Sequence, residues 1–373
     1  MKTRSLVLIA LAALLAALAA VWVSSLRAPE VTAASPGPLA PGLSEVLDSI
    51  SQVRLVAAGD ETLATLERGE DGWGLAEKHG YPADLGKLRS LLSAIASAQR
   101  VEAKTALTER YPQLGVEDVS APEARGVRVD IVTPQRTFSV IVGDNPVRGP
   151  GTYARVADQT QSWLVDKSIA VERKPANWLM KQIIDVGANR ISAVSITPID
   201  GPEFGLIRSD GDPASDFALQ GVPRGREVAA NYEREALAGL LSGLNFEDVF
   251  AASELTAPEQ TRVALFSVDD GRRVRIESWQ HDGHTYARFA LSLDEDVAAA
   301  WLARPVAQVA AEPDAAEAGA NAGEAPAVPV TRDQLDAQVA QFQRTHEGWV
   351  FQLPAFKASN LNKNLEDYLK PKG

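Results

Sequence analysis

The chain has 373 residues, a formal net charge of −12 and no cysteine. That length allows about two domains, and the missing cysteine excludes a disulfide framework, a thiolate zinc site, an iron–sulfur cluster, a cysteine nucleophile and a lipidated N-terminal cysteine. The acidic balance argues against nucleic acid as a partner, because phosphate neutralisation needs surplus Lys and Arg.

Leu6 to Val23 is an unbroken apolar run of 18 residues. As a helix it would cover about 27 Å, close to the hydrocarbon core of a bilayer. Lys2 and Arg4 precede it and Arg27 is the first charge after it. The positive-inside rule then leaves the N-terminus in the cytoplasm and exports the body. A cleaved signal peptide is the alternative, since Ala17-Leu18-Ala19 and Thr32-Ala33-Ala34 offer small residues for cleavage. Either reading exports the body. The run of Ala, Pro, Ser and Gly from Ala28 to Pro41 reads as a flexible stalk.

The rest of the chain carries a divergent, collinear repeat. Ile50-Ser51-Gln52-Val53 matches Ile191-Ser192-Ala193-Val194, and Leu91-Leu92-Ser93-Ala94-Ile95 matches Leu240-Leu241-Ser242-Gly243-Leu244. Thr152-Tyr153-Ala154-Arg155 matches Thr285-Tyr286-Ala287-Arg288, and Trp163-Leu164-Val165 resembles Trp349-Val350-Phe351. Each copy opens with alternating segments, Gln52–Val56 and Thr62–Arg68 or Ala193–Thr197 and Phe204–Ser209, which predict half-buried strands. A helix follows in each. Leu85, Leu88, Leu91, Leu92 and Ile95 form one apolar stripe, and Leu237, Leu240, Leu241 and Leu244 form the other, after Asn231 as N-cap. Further strands are expected at Val127–Thr133, Thr137–Val142, Arg262–Val268 and Arg273–Trp279. Asp269-Asp270-Gly271 and His281-Asp282-Gly283-His284 are hairpin signals.

The expected fold is therefore α+β: an N-terminal transmembrane helix, then two related units, each a mainly antiparallel sheet with a packed helix. The expected divisions are a cytoplasmic tip and anchor over 1–27, a flexible stalk over 28–48, and units over 49–187 and 188–373. The second unit carries a disordered insertion at about 304–330, rich in Ala, Pro, Glu and Gly. Asp294 to Val330 holds seven acids and one base, Arg304, which is half of the net charge. Thr331-Arg332-Asp333-Gln334 then reads as a capping box, opening a helix with Leu335, Val339 and Phe342 on one face.

The order of landmarks resembles a bacterial family catalogued as domain of unknown function 4340. The landmarks are Gly72-Trp73, the helix start Tyr81-Pro82-Ala83-Asp84, and Tyr111-Pro112-Gln113-Leu114-Gly115-Val116-Glu117-Asp118. Gly143-Asp144, Thr152-Tyr153-Ala154-Arg155 and Trp163-Leu164-Val165 complete it. The resemblance implies an inner-membrane anchor with an exported, periplasmic body. It also implies an accessory role beside ABC-type export systems like the gliding-motility transporters, with transporter subunits as partners. It names no catalytic residue.

The sequence has no P-loop, no His-Glu-x-x-His and no nucleophile elbow. Gly69-Glu70-Asp71-Gly72-Trp73-Gly74 is spaced as a hairpin. His281, Asp282 and His284 sit in a tight turn that points them outward, where a metal needs convergent ligands. Asp210, Asp212 and Asp216 lack the calcium-loop pattern, because Ala214 and Ser215 stand at its fifth and sixth positions. Asp294-Glu295-Asp296 suits the start of a helix. No catalytic, cofactor-binding or metal-ligating residue is assigned, and no cofactor is expected. The candidate partner or ligand surface consists of Tyr153 with Arg155 and Tyr286 with Arg288, each pair on one face of its strand. The expected function is a single-pass inner-membrane protein with a periplasmic interaction body. The alternatives are a periplasmic hydrolase using carboxylates and a structural envelope tether.

Overall fold

The computed structural model describes residues 37–70, 72–208, 215–304 and 330–371. The apolar run Leu6–Val23, Asp210 and Asp212 and the insertion from 305 to 329 lie outside those residues. Among the described residues, no helix is long and apolar enough to cross a membrane.

The fold is α+β, with antiparallel sheets and few helices. The first strands are β1 (Gln52–Val56), β2 (Thr62–Gly69), β3 (Gly72–Leu75) and β4 (Tyr81–Pro82), followed by helix α1 (Leu85–Ser97). Then come β5 (Arg100–Ala103), β6 (Val127–Val132), β7 (Thr137–Val142), β8 (Thr152–Val156) and β9 (Ser162–Val165). The later chain forms β10 (Gln182–Ile184), β11 (Ile191–Thr197), β12 (Phe204–Arg208), β13 (Phe217–Gln220), α2 (Tyr232–Ala238), β14 (Leu244–Asn245) and β15 (Asp248–Ala251). It ends with β16 (Arg262–Val268), β17 (Arg272–His281), β18 (His284–Leu293), α3 (Glu295–Leu302), α4 (Arg332–His346), β19 (Trp349–Gln352) and α5 (Ala355–Leu361).

Contacts divide the chain into two units. The first holds residues up to Thr65 and Lys87–Val171, and the second holds Leu66–Gly86 and everything from Glu172. This differs from the sequence division at 187/188. It also moves a hairpin out of the first unit. The hairpin has its own anchors: Tyr81 is fully buried and meets Phe246, Trp349 and Phe351 edge-on at 5.5, 5.0 and 6.1 Å between ring centroids. Ala83 bridges Leu179, and Lys78 pairs with Asp248 at 2.7 Å. Chain adjacency favours the first unit, but aromatic burial decides for the second.

Within the first unit the strand order is β2-β1-β6-β7-β8-β9-β5. In the second, the order β12-β11-β16-β17-β18-β19-β15 repeats it, with β13 added outside β12. Three of the four sequence matches fall at equivalent places in these orders, on β1 and β11, β8 and β18, and β9 and β19. In the first sheet Val53 lies opposite Ile131 and Leu55 opposite Val129, with Phe138 and Val140 next on β7. All six are buried, as are Leu88, Leu91, Leu92 and Ile95 of α1.

Local rules explain most boundaries. Asp282 and Gly283 both have positive φ, 47° and 78°, as a two-residue hairpin turn requires. Thr331 and Gln334 form the expected capping box at α4, and Asp294 accepts from Val297 N to cap α3. Leu335 of α4 packs with Ala298 and Trp301 of α3.

Two expectations are corrected. From residue 37 onward the expected stalk is packed structure. Leu39 and Leu43 are fully buried, and Leu39 N donates to Ala98 O at 2.8 Å. Composition reads this Pro- and Gly-rich stretch as linker, but two leucines four residues apart are enough to hold it down. The second leucine stripe is not one helix either. The α-helix stops at Ala238, Gly239–Leu241 is a 3₁₀ turn, and Leu244 sits in β14 opposite Ile184. Gly243, at φ 52°, turns the chain there. Asn231 holds the N-cap position without a capping hydrogen bond, its backbone being helical at φ −69° and ψ −26°, and its Nδ2 donates to Asp216 Oδ1 at 2.7 Å.

Candidate functional site: a guanidinium cleft on the first sheet

One face of the first sheet is apolar and buried. The other presents Arg54 of β1 opposite Asp130 of β6, with Ser139 of β7 beside it. Arg128, two residues before Asp130, shares that face. Arg54 Nη2 donates to Asp130 Oδ2 at 3.0 Å, and Arg128 Nε donates to Asp130 Oδ1 at 3.1 Å. Arg128 Nη1 also reaches Asp60 Oδ1 at 3.4 Å. Asp130 is only 3% exposed, whereas the Arg54 side chain is 47% exposed. One sequestered carboxylate thus orients two guanidiniums, and the outer edge of Arg54 meets solvent.

A third guanidinium closes the site. Arg136 stacks over the Phe138 ring at 4.0 Å and donates through Nη2 to Pro41 O at 2.6 Å. The packed segment around Leu39–Pro41 therefore forms a wall. Gly42 turns the wall at φ +80°, a left-handed backbone conformation that favours glycine. Together these residues border a cleft of about 710 Å³, completed by Val156, Ala157, Asp158 and Gln159. Its arginines can hold and orient a ligand.

The sequence-predicted pairs lie elsewhere. Arg155 of β8 is 3% exposed. Its Nε donates to Val116 O at 3.0 Å, and its Nη1 donates to Ala157 O and Gln159 O at 3.1 and 3.0 Å. Its Nη2 donates to Asp118 Oδ1 at 2.6 Å, and its guanidinium lies over Tyr111. It clamps the segment around residues 111–118 onto the sheet, where Tyr111, Val116 and Ile141 cluster with half-buried Tyr153. Gly143 permits that approach, since a Cβ there would meet Leu114 O at 2.3 Å. Tyr286 is buried with Trp279 and Val350, and burial pushes its phenol pKa up. Arg288 lies over Trp279, and its Nε is buried without a hydrogen-bond partner. Arg155 and Tyr286 are thus committed to contacts inside their own units.

His281 and His284 lie in the exposed turn, His281 Nε2 being 3.4 Å from Asp282 Oδ2. Among the described residues no three His, Asp or Glu side chains converge as a metal site would require.

The family model for a domain of unknown function, DUF4340, matches residues 73–263. That span is just over half of the chain. The chain belongs to the DUF4340 family. The DUF4340 match takes in Arg128, Asp130 and Arg136 of the cleft and leaves Arg54 outside. No curated protein and no solved structure matches the chain.

The cleft of this DUF4340 protein leaves little local signature in the sequence. Arg54, Arg128 and Asp130 all stand at outward positions of expected strands, where a charge ordinarily means a solvated face. A usable signal was the charge pair Arg128 and Asp130 two apart on one strand. Their partner Arg54 is 76 residues away and is identified only by strand register.

Proposed function

We propose that this protein is a membrane-tethered binding module. Leu6–Val23 anchors it in the bacterial inner membrane, the N-terminus stays cytoplasmic and the body stands in the periplasm. It serves there as an accessory of an ABC-type export complex. The observation that carries the binding role is the cleft, where Asp130 holds Arg54 beside Arg128 and the outer edge of Arg54 is open to a partner. The tether rests on the apolar run and the preceding Lys2 and Arg4.

Solubilising the full-length protein in mild detergent and identifying co-purifying proteins by mass spectrometry tests the accessory role. Transporter subunits are the expected recovery, and their absence across several detergents overturns it. A reporter fused after Arg27 should be active only outside the cytoplasm; cytoplasmic activity refutes the topology.

A further inference from the structure

We infer that the cleft of the first unit is an oxyanion site, built for a small ligand with a carboxylate or phosphate group on an apolar body. The cleft lining carries Arg54, Arg128 and Arg136 against Asp130 and Asp158, an excess of one positive charge. The chain as a whole carries −12, so a positive cleft is a local exception. Arg54 gives Asp130 a single N–H through Nη2, and no other hydrogen bond from it is formed among the described residues. A guanidinium has five N–H donors in a planar fork suited to a carboxylate or phosphate. Because Asp130 already fixes Arg54 and Arg128, less ordering entropy is lost when a ligand arrives.

The apolar part of the ligand has its own wall. Phe138, beneath the Arg136 guanidinium, and half-buried Val156 border the cleft. The volume of about 710 Å³ lies within the roughly 300–1,000 Å³ of small-molecule sites.

An ordinary structural ion-pair network is the competing explanation, and at the equivalent strand position the second unit does without one. Val194 opposite Phe266 corresponds to Val53 opposite Ile131. One step along, Ser195 faces Leu265 where Arg54 faces Asp130. The same strand order therefore forms without the charges. Burying a carboxylate between arginines is costly and contributes little net stability. The second unit also holds a buried carboxylate between two arginines, Asp270 with Arg190 and Arg272, but those side chains are 18% and 11% exposed, whereas Arg54 on Asp130 is 47% exposed and open to a ligand.

The test uses the full chain in a non-ionic detergent, titrated calorimetrically with phenyl phosphate, benzoate, inorganic phosphate and benzyl alcohol. Saturable binding of phenyl phosphate, benzoate or both is expected, with the tighter of the two indicating the natural headgroup. Binding should weaken roughly tenfold in Arg54→Gln and in Arg136→Gln, and it should be unchanged in Arg275→Gln on the second sheet. Both cleft variants should keep the wild-type circular dichroism spectrum. The site is refuted if neither aryl anion binds, if benzyl alcohol binds as well, or if Arg54→Gln and Arg136→Gln leave binding intact. Inorganic phosphate binding as tightly as phenyl phosphate removes the apolar body from the proposal. The inference rests on reading the body as a binding module. Transporter subunits recovered without anion binding would sink the oxyanion site alone, and anion binding without them would sink only the accessory role.

Discussion

The two sheets share a strand order and differ in what they do with their second face. On the first, the face opens into a cleft of arginines around Asp130, beside a clamp built on Arg155. On the second, Trp279, Tyr286 and Val350 make an apolar cluster with half-buried Phe250 and Leu255 against them. The repeat counterparts Arg155 and Arg288 show the same divergence. Arg155 makes four hydrogen bonds across its guanidinium. Arg288 keeps an aromatic contact and a buried Nε with no partner. Strand order is therefore set by the apolar face, while the opposite face is free to specialise.

The sharpest way to break this comparison is the exchanged hairpin. Tyr81→Ala should cost about 3–5 kcal/mol, as deletion of a buried aromatic ring does. Hydrogen exchange should show the largest loss of protection in β15 and β19 of the second unit. A loss centred on β6 and β7 would instead return the hairpin to the first unit.

The clamp comes next. Arg155→Met should cost about 3 kcal/mol, because the carbonyls of Val116, Ala157 and Gln159 lose their donor. Arg288→Met should cost less than about 1 kcal/mol, since an unpartnered Nε is removed with it. Equal losses in urea unfolding would erase the distinction between the counterparts.

A pH scan probes the second unit alone. His346 is buried, and desolvation lowers its imidazole pKa, partly offset by its bond to Phe342 O. The fold thus favours the neutral ring while the unfolded chain binds the proton more readily. Stability should be full above the ordinary imidazole pKa of about 6.5 and fall as pH drops from there towards the depressed folded value. His346→Gln should flatten that fall in thermal melts; an unchanged slope assigns it elsewhere. The smallest effect is local: Asp294→Ala should cost about 1 kcal/mol through the lost cap of α3, read as a small drop in the unfolding midpoint.

Much of the fold is legible in the residues. The alternation of Gln52–Val56, the leucines of α1, the turn at Asp282-Gly283 and the box at Thr331 are all local signals, and each forms the expected element. The failures share a cause. Leu39 and Leu43 are held by distant partners that composition does not reveal. Leu244 leaves its helical stripe because Ile184 offers it a strand. The cleft was hidden for the same reason, since its charges look solvated until β1 meets β6.

The α+β class, the strands over Gln52–Val56 and Val127–Val132, helix α1, the hairpin turn at Asp282-Gly283 and the capping box at Thr331 are all readable from the residues, because they depend on interactions within a few positions. Tertiary structure decided that the Tyr81 hairpin joins the second unit and that Arg54 faces Asp130. Both are outcomes of long-range burial and register, and a one-residue slip between β1 and β6 would move Asp130 out of line with Arg54.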